Sequence, residues 1–337
     1  MIKALAVAAA AAAASIVGAA ACSAAAGGSS SPLAAAGAVT EPPQQIPVIC
    51  FHDIGTPSPA VGSTDYYSVT LPNFKAEMSL LSREGYHTVT PTQYANWLAG
   101  TAQALPPKPV LLTFDDLFTA DLTEATPVLR EYGFQATGFV VTGYADGAYL
   151  NIDNGTNTPH DGPNAYALWS SIEAYAEAGT WTFQFHAGLC GHAYMPYAPA
   201  SCLAGLDLAD ASASAFQYYL WNYGQDQARY ESRVTAETSA GLADMESRLP
   251  GFGPVLFASP FGSWGNGDDP FLIRYWDSKF GVIFTQFIAS SDEPTAHADR
   301  VRFRLELGYG SQSASYLSGH LVSAAFTRAG SNGTVGA

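Results

Sequence analysis

The 337 residues carry 29 Asp and Glu against 14 Lys and Arg, a formal net charge of −15, and the basic residues form no cluster. Such a surface repels a polyanion, which excludes nucleic acid and leaves neutral or cationic partners. With 48% hydrophobic residues the chain can build one large core or two modest ones.

Residues 1 to 22 stand apart from that core. Lys3, an Ala/Val/Ile run and then Ala19-Ala20-Ala21-Cys22 supply the charged start, apolar middle and small-residue cleavage site of an export signal. The same ending is that of a bacterial lipobox, which would make Cys22 the lipidated first residue of the mature protein, although Ala19 stands where Leu is more usual. Two outcomes stay open: a freely secreted protein, or a cell-surface lipoprotein that touches the membrane through its lipid alone. Residues 23 to 45, rich in Ala, Gly, Ser and Pro, read as a flexible tether. Export puts the cysteines in an oxidising compartment, so Cys190 and Cys202 are expected to pair and Cys50, in an apolar run, to be a buried thiol. The alternative is that Cys190 ligates a metal beside His192.

From residue 46 onward strand-like and helix-like stretches alternate. The expected strands are Pro47–Phe51, Val110–Phe114, Ala136–Val141, Thr180–Phe185, Val255–Ser259, Val282–Phe287 and Val301–Leu307. The expected helices are Leu71–Glu84, Thr119–Tyr132, Trp169–Ala178, Ala228–Arg248, Pro270–Lys279 and Ser315–Thr327. Alternation of this kind predicts an α/β fold with a mainly parallel sheet, and the number of strands suits one closed barrel better than two domains. Barrels of that type run to about 250 residues and carry their chemistry at the strands' C-terminal ends. Residues 193 to 228, rich in Tyr, Ala and Ser, read as an inserted flap, and residues 329 to 337 as a disordered tail.

The residues that carry chemistry fall at those strand ends. His52 and Asp53 follow the first strand, Asp115 and Asp116 the second, and His186 the run Phe183-Gln184-Phe185. Side chains alternate at a strand end, so one of two adjacent aspartates can face a metal while the other faces substrate. The plainer alternative is that Asp115 and Asp116 open a loop and cap the next helix. Asp116, His186 and His192 together offer one carboxylate and two imidazoles, a donor set that suits a divalent metal with open positions. The five residues between His186 and His192 do not fit a helical repeat, so these two must converge through the loop Ala187-Gly188-Leu189-Cys190-Gly191.

Thr113-Phe114-Asp115-Asp116, His186 to His192 and Ser259-Pro260-Phe261-Gly262 resemble the three motifs of the polysaccharide deacetylases, the NodB-homology or carbohydrate esterase family 4 enzymes. Upstream, Ile46 to Ile54 and Tyr67-Ser68-Val69-Thr70 resemble the branch that includes exported poly-N-acetylglucosamine deacetylases. The resemblance spans most of residues 46 to 325, within an expected catalytic domain of 46 to 328, and implies a distorted (β/α)7-type barrel with parallel strands. It implies that Asp115 is the general base and that Asp116, His186 and His192 hold a divalent metal, Zn or else Co or Ni. Pro260, Phe261 and Gly262 would shape the groove, with Phe261 and Trp264 placed to stack on sugar rings. The expected activity is metal-dependent removal of N-acetyl groups from an amino-sugar polysaccharide at the cell surface.

Several positions depart from the pattern. The gap between His186 and His192 is longer than the family's, and Ala258 stands where an Arg commonly orients the catalytic Asp. Leu117 replaces the usual Gly after the Asp pair and is expected to crowd the mouth of the site. The general acid is either His52, with Asp53 or another carboxylate raising its pKa, or the late His320. His87, His160 and His297 read as surface residues. A catalytically silent glycan- or cell-wall-binding module on the same fold, and a hydrolase of small non-sugar amides, are the competing functions.

Overall fold

The computed structural model describes residues 45–55, 68–101, 104–147, 165–192, 200–206, 225–260, 270–284, 301–302, 304–307, 314, 317–318 and 325–327. The leader, nearly all of the tether, most of the expected flap, the tail, Phe261, Gly262, Trp264, His160, His297 and His320 lie outside them.

The chain begins with β1 (Gln45–Phe51), then β2 (Asp53–Ile54) and β3 (Ser68–Val69), which pair with each other as a separate two-stranded sheet. Helix α1 (Leu71–Arg83) follows, capped by the Thr70 hydroxyl, which accepts from Asn73 N. Next come β4 (His87–Thr88), α2 (Pro91–Leu98), β5 (Pro109–Phe114), a π-helical turn (Asp121–Ala125), α3 (Thr126–Tyr132), β6 (Ala136–Val141) and α4 (Thr142–Ala145). Helix α5 (Trp169–Glu177) leads to β7 (Trp181–Ala187), and α6 (Ala200–Leu203) and the long α7 (Gln227–Arg248) lead to β8 (Leu256–Ala258). The described chain ends with α8 (Pro270–Lys279), β9 (Val282–Phe284), β10 (Val301–Arg302), β11 (Leu305–Glu306) and β12 (Ala325–Thr327).

The main sheet runs β10-β9-β8-β7-β6-β5-β1-β11, and every neighbouring pair on that path is parallel. The segment 301–306 pairs with β9 through its first half and with β1 through its second, so one stretch of chain joins the two ends of the sheet. The sheet is therefore curled into a distorted barrel, with the expected parallel α/β connectivity.

The curl sorts alternate residues into two cores. Ile46, Val48, Leu111, Phe139, Leu256, Ala258, Val282 and Phe284 form one cluster with Val89, Tyr94 and Trp97. Their neighbours Ile49, Phe51, Leu112, Phe114, Val140, Phe185, Phe257 and Ile283 join the helices in a larger one. The smaller cluster fills the inside of the curl. Continuing its alternation toward the strands' C-terminal ends gives Cys50 and His52 after Val48, Thr113 and Asp115 after Leu111, and His186 after Gln184, all buried. The interior thus changes from apolar to ionisable along its length, and that change positions the site.

Two expectations are corrected. Ser315–Thr327 is not one helix, because Ala325–Thr327 is a strand antiparallel to the start of β1, with Gln45 opposite Thr327 and Pro47 opposite Ala325. The partner on that side of β1, β11, begins only at Ile49, and β12 covers the backbone edge left before it. Residues 119–132 are also not a uniform α-helix: the π-helical turn interrupts them, and its Asp121 accepts from Ile54 N at 3.0 Å and Phe118 N at 2.7 Å. This buried carboxylate ties the end of β2 to the loop that follows the two aspartates.

Glu77 of α1 is fully buried, and among the described residues neither carboxyl oxygen has a hydrogen-bond partner. Burial pushes its pKa up to about 8. The folded chain then holds a proton there that the unfolded chain releases, so unfolding free energy falls as pH rises from the ordinary Glu range toward 8. The expected slope is at most about 1.4 kcal/mol per pH unit. Urea unfolding at stepped pH measures it. Glu77→Gln removes this slope and leaves the remainder of the pH profile in place; an unchanged slope would contradict the assignment.

Candidate metal centre

Asp115 follows β5 directly, and its backbone N–H donates to Phe51 O at 2.9 Å, which extends the pairing of β1 with β5 to the site. Asp116 and Leu117 have φ of 65° and 60°, the left-handed region that non-glycine residues rarely enter. Leu117 N donates back to Asp115 O at 2.7 Å, closing a sharp turn that aims two adjacent carboxylates in different directions. Strain of this kind collects at functional sites. Leu117 does not crowd the mouth: it is 1% exposed and turns into the core. It fits there because Gly138 has no side chain; a Cβ on Gly138 would lie 2.8 Å from Leu117 Cδ1.

Asp115 has its orienting partner. Arg304, fully buried, donates through Nη1 to Asp115 Oδ1 at 2.6 Å and through Nη2 to Oδ2 at 2.5 Å. Its guanidinium also lies over the rings of Phe139 and Phe284, and Nη1 reaches Thr113 Oγ1 at 3.3 Å. Burial alone would push Asp115 up, but the charge and hydrogen bonds of Arg304, with His186 and His52, hold its carboxyl below the usual carboxylate range. The absence of an Arg at position 258 is thus met from the segment that closes the sheet. Ala258 serves otherwise: its carbonyl accepts from His186 Nδ1 at 2.7 Å.

Asp116, His186 and His192 converge despite the long gap. Asp116 Oδ1 lies 3.2 Å from His186 Nε2 and 2.8 Å from His192 Nε2, and the three possible ligand atoms lie within 4.8 Å of one another. The tautomer of His186 tests whether a cation fits. A carbonyl only accepts, so Nδ1 carries the hydrogen, and Nε2 of the neutral ring presents a lone pair to a carboxylate oxygen. Two lone pairs 3.2 Å apart repel unless a proton or a cation lies between them. Burial would push Asp116 up, but the charge of His192 and the hydrogen bonds that both histidines give when a proton lies between hold it well below the ordinary range. The residues fit a divalent cation, and the second nitrogen of His186 is fixed in the way that metal-ligating imidazoles usually are.

A second trio, Cys50, His52 and Asp115, also lies within ligand spacing. It is the poorer cation site, since both oxygens of Asp115 already bond a guanidinium. His52 Nε2 lies 3.9 Å from Asp115 Oδ2 and Nδ1 lies 4.0 Å from Cys50 Sγ. The carboxylate facing His52 Nε2 is that of Asp115, while Asp53 accepts from Ser68 Oγ at 2.8 Å. The expected rise in the pKa of His52 is reversed: burial lowers it, and the upward pull of Asp115 and Asp116 does not compensate.

Cys190 and Cys202 are joined by a disulfide, and the described free cysteine is the buried Cys50. Pro260 is buried two residues past the end of β8, and His87 is exposed. Sequence reasoning missed Arg304, Asp121, Tyr144 and Glu237. Arg304 left a trace, since Val301 to Leu307 alternates apolar and charged residues as a strand with one polar face does. Asp121 and Glu237 look like any other helical acid.

A polysaccharide deacetylase family profile matches residues 102–267, which contain both aspartates and both histidines. Over those residues, just under half of the chain, it is similar to the polysaccharide deacetylases. A putative polysaccharide deacetylase of Bacillus subtilis, YxkH, is 34% identical over 102 residues, 30% of this chain and 34% of that relative, so the match spans about a third of its length. Among solved structures, a de-N-acetylase from Aggregatibacter actinomycetemcomitans matches with a TM-score of 0.60 at 18% identity, over 82% of this chain and 99% of that one. The Streptococcus pyogenes deacetylase PplD, solved with acetate, matches at 0.55 and 20% identity, over 82% and 98%. At these identities the two structures speak for the fold. Among the described residues no helix is long and apolar enough to cross a membrane.

Proposed function

We propose that this chain is a metal-dependent hydrolase that removes N-acetyl groups from an amino-sugar polysaccharide, within a catalytic domain of residues 46 to 328. The observation that carries the reading is the convergence of Asp116, His186 and His192 beside an Asp115 clamped by Arg304. Asp116, His186 and His192 would hold the ion, with Zn favoured by two imidazoles and a carboxylate, and Co or Ni accepted by the same donors. A divalent cation there supplies Lewis-acid polarisation of the acetamide oxygen and makes a water easier to deprotonate.

The remaining work belongs to the chain. Arg304 holds Asp115 in one orientation through both oxygens, leaving a lone pair on each to take the proton of the attacking water. His52, 3.9 Å from Asp115, is the proposed donor to the departing amine; burial lowers its pKa and disfavours the imidazolium at rest, so it must take up the proton that it delivers during turnover. His320, the other acid considered, lies outside the described residues. Pro260, Phe261, Gly262 and Trp264 are proposed to line the sugar groove. The silent-module reading rested on Ala258 and on the histidine spacing, and Arg304 and the convergence of His192 answer both.

The finer proposal is that the substrate is a poly-N-acetylglucosamine and that the protein acts outside the cell, held through Cys22 where lipidation occurs. The product of each turnover is a cationic amine, which a surface of net charge −15 tolerates. Mass spectrometry of N-acetylglucosamine oligomers incubated with the full chain tests the substrate class. Loss of acetyl groups with the glycosidic bonds intact is expected. Intact oligomers alongside hydrolysed acetyl esters would reassign the protein as an esterase.

A further inference from the structure

A loop with five residues between two metal ligands does not by itself return the second to the first. Three contacts act on this one. Glu237 Oε1, from α7, accepts from Cys190 N at 2.7 Å and from Gly191 N at 2.9 Å. Tyr144 Oη, from α4, donates to the carbonyl of His192 at 3.0 Å. The disulfide fixes Cys190 to α6.

Glu237 reaches the loop because two glycines make room. Gly241 lies one turn further along α7, and a Cβ there would stand 2.3 Å from the Phe185 ring, so the helix lies directly on β7. Gly188 faces the carboxylate itself, and a Cβ there would stand 2.4 Å from Glu237 Oε1. Buried Tyr230, Val234, Thr238 and Met245 hold the same face of α7 against the sheet. Burial pushes the Glu237 carboxyl up, while the two amide hydrogens and Arg233 favour its charged form. Two backbone donors converging on one carboxylate oxygen form a charge-assisted clamp, about twice as strong as neutral hydrogen bonds.

We propose that Glu237 is the positioning residue that sets His192 against Asp116, by fixing the backbone of the two residues immediately before His192. The proposal rests on the reading of Asp116, His186 and His192 as the metal site. In that role Glu237 touches neither substrate nor metal; it replaces the short spacing that would otherwise bring the two histidines together.

The test is Co²⁺ binding by the full chain, measured by chelator competition and by the visible spectrum of the bound ion. Wild type is compared with Glu237→Ala, Glu237→Gln, Gly188→Ala and His192→Ala. Glu237→Ala is expected to bind Co²⁺ about 10- to 100-fold more weakly, with a spectrum shifted toward that of His192→Ala. Glu237→Gln keeps an oxygen acceptor and recovers most of the affinity. Gly188→Ala displaces the carboxylate without altering α7, and is expected to weaken binding in the same way, which decides the matter if Glu237→Ala does not fold. Wild-type affinity and spectrum in Gly188→Ala and Glu237→Ala overturn the positioning role and leave the metal site standing. A wild type that binds no Co²⁺ overturns the metal site and the proposal together.

Discussion

Asp115→Asn lowers the rate of acetate release by about two to four orders of magnitude, the range for a general base, while the divalent ion stays bound. The substitution preserves shape and removes the lone-pair basicity that the proposed mechanism needs. The proposed ligands Asp116, His186 and His192 are untouched, so loss of rate and loss of metal separate cleanly. Asn cannot receive the Arg304 fork as a carboxylate does, so a stability loss accompanies the change and the rate is compared per folded, metal-loaded molecule. Equal loss of metal and rate would mean that Asp115 acts through the metal site rather than as the base.

Arg304→Met destabilises the fold by about 3–5 kcal/mol, because it leaves the Asp115 charge buried without the guanidinium that compensates it. Both side chains are fully buried. The Met side chain keeps contact with Phe139 and Phe284, which isolates the electrostatic part of the loss. Urea unfolding of wild type, Arg304→Met and the Arg304→Met/Asp115→Asn pair measures it. The double variant recovers part of the loss, since the uncompensated charge is gone. A single-variant loss below about 1 kcal/mol would match an exposed ion pair instead.

How much of this was legible in the sequence depends on where the information lies. Strands buried on both faces read as apolar runs, so β1, β5 and β6 stood out, and Asp115, Asp116 and His186 lie at or just past the ends of β5 and β7. The barrel could be read from the number of strands, whereas the residues that face its interior, Val48, Cys50 and His52 or Leu111, Thr113 and Asp115, follow from alternation along strands whose curl the structure shows. Arg304 was not assigned to Asp115 because its partner lies 189 residues away, and only closure of the sheet brings them together. The turn at Leu117 was misjudged for the same reason: the space that accepts its side chain is the missing side chain of Gly138 on another strand. Glu237 gave no signal, since what distinguishes it is the close approach of α7 to β7, set by Gly241. The strand Ala325–Thr327 was hidden because an edge left open at Gln45–Pro47, not its own composition, decides its conformation.

The most direct measurement of the central claim is acetate release from N-acetylglucosamine oligomers by the full chain, chelated and then reloaded with Zn²⁺, Co²⁺ or Ni²⁺. The account predicts that chelation abolishes release and that at least one of these ions restores it to His192-intact protein but not to His192→Ala. Release that survives complete removal of the metal, or that returns equally in His192→Ala, would contradict it.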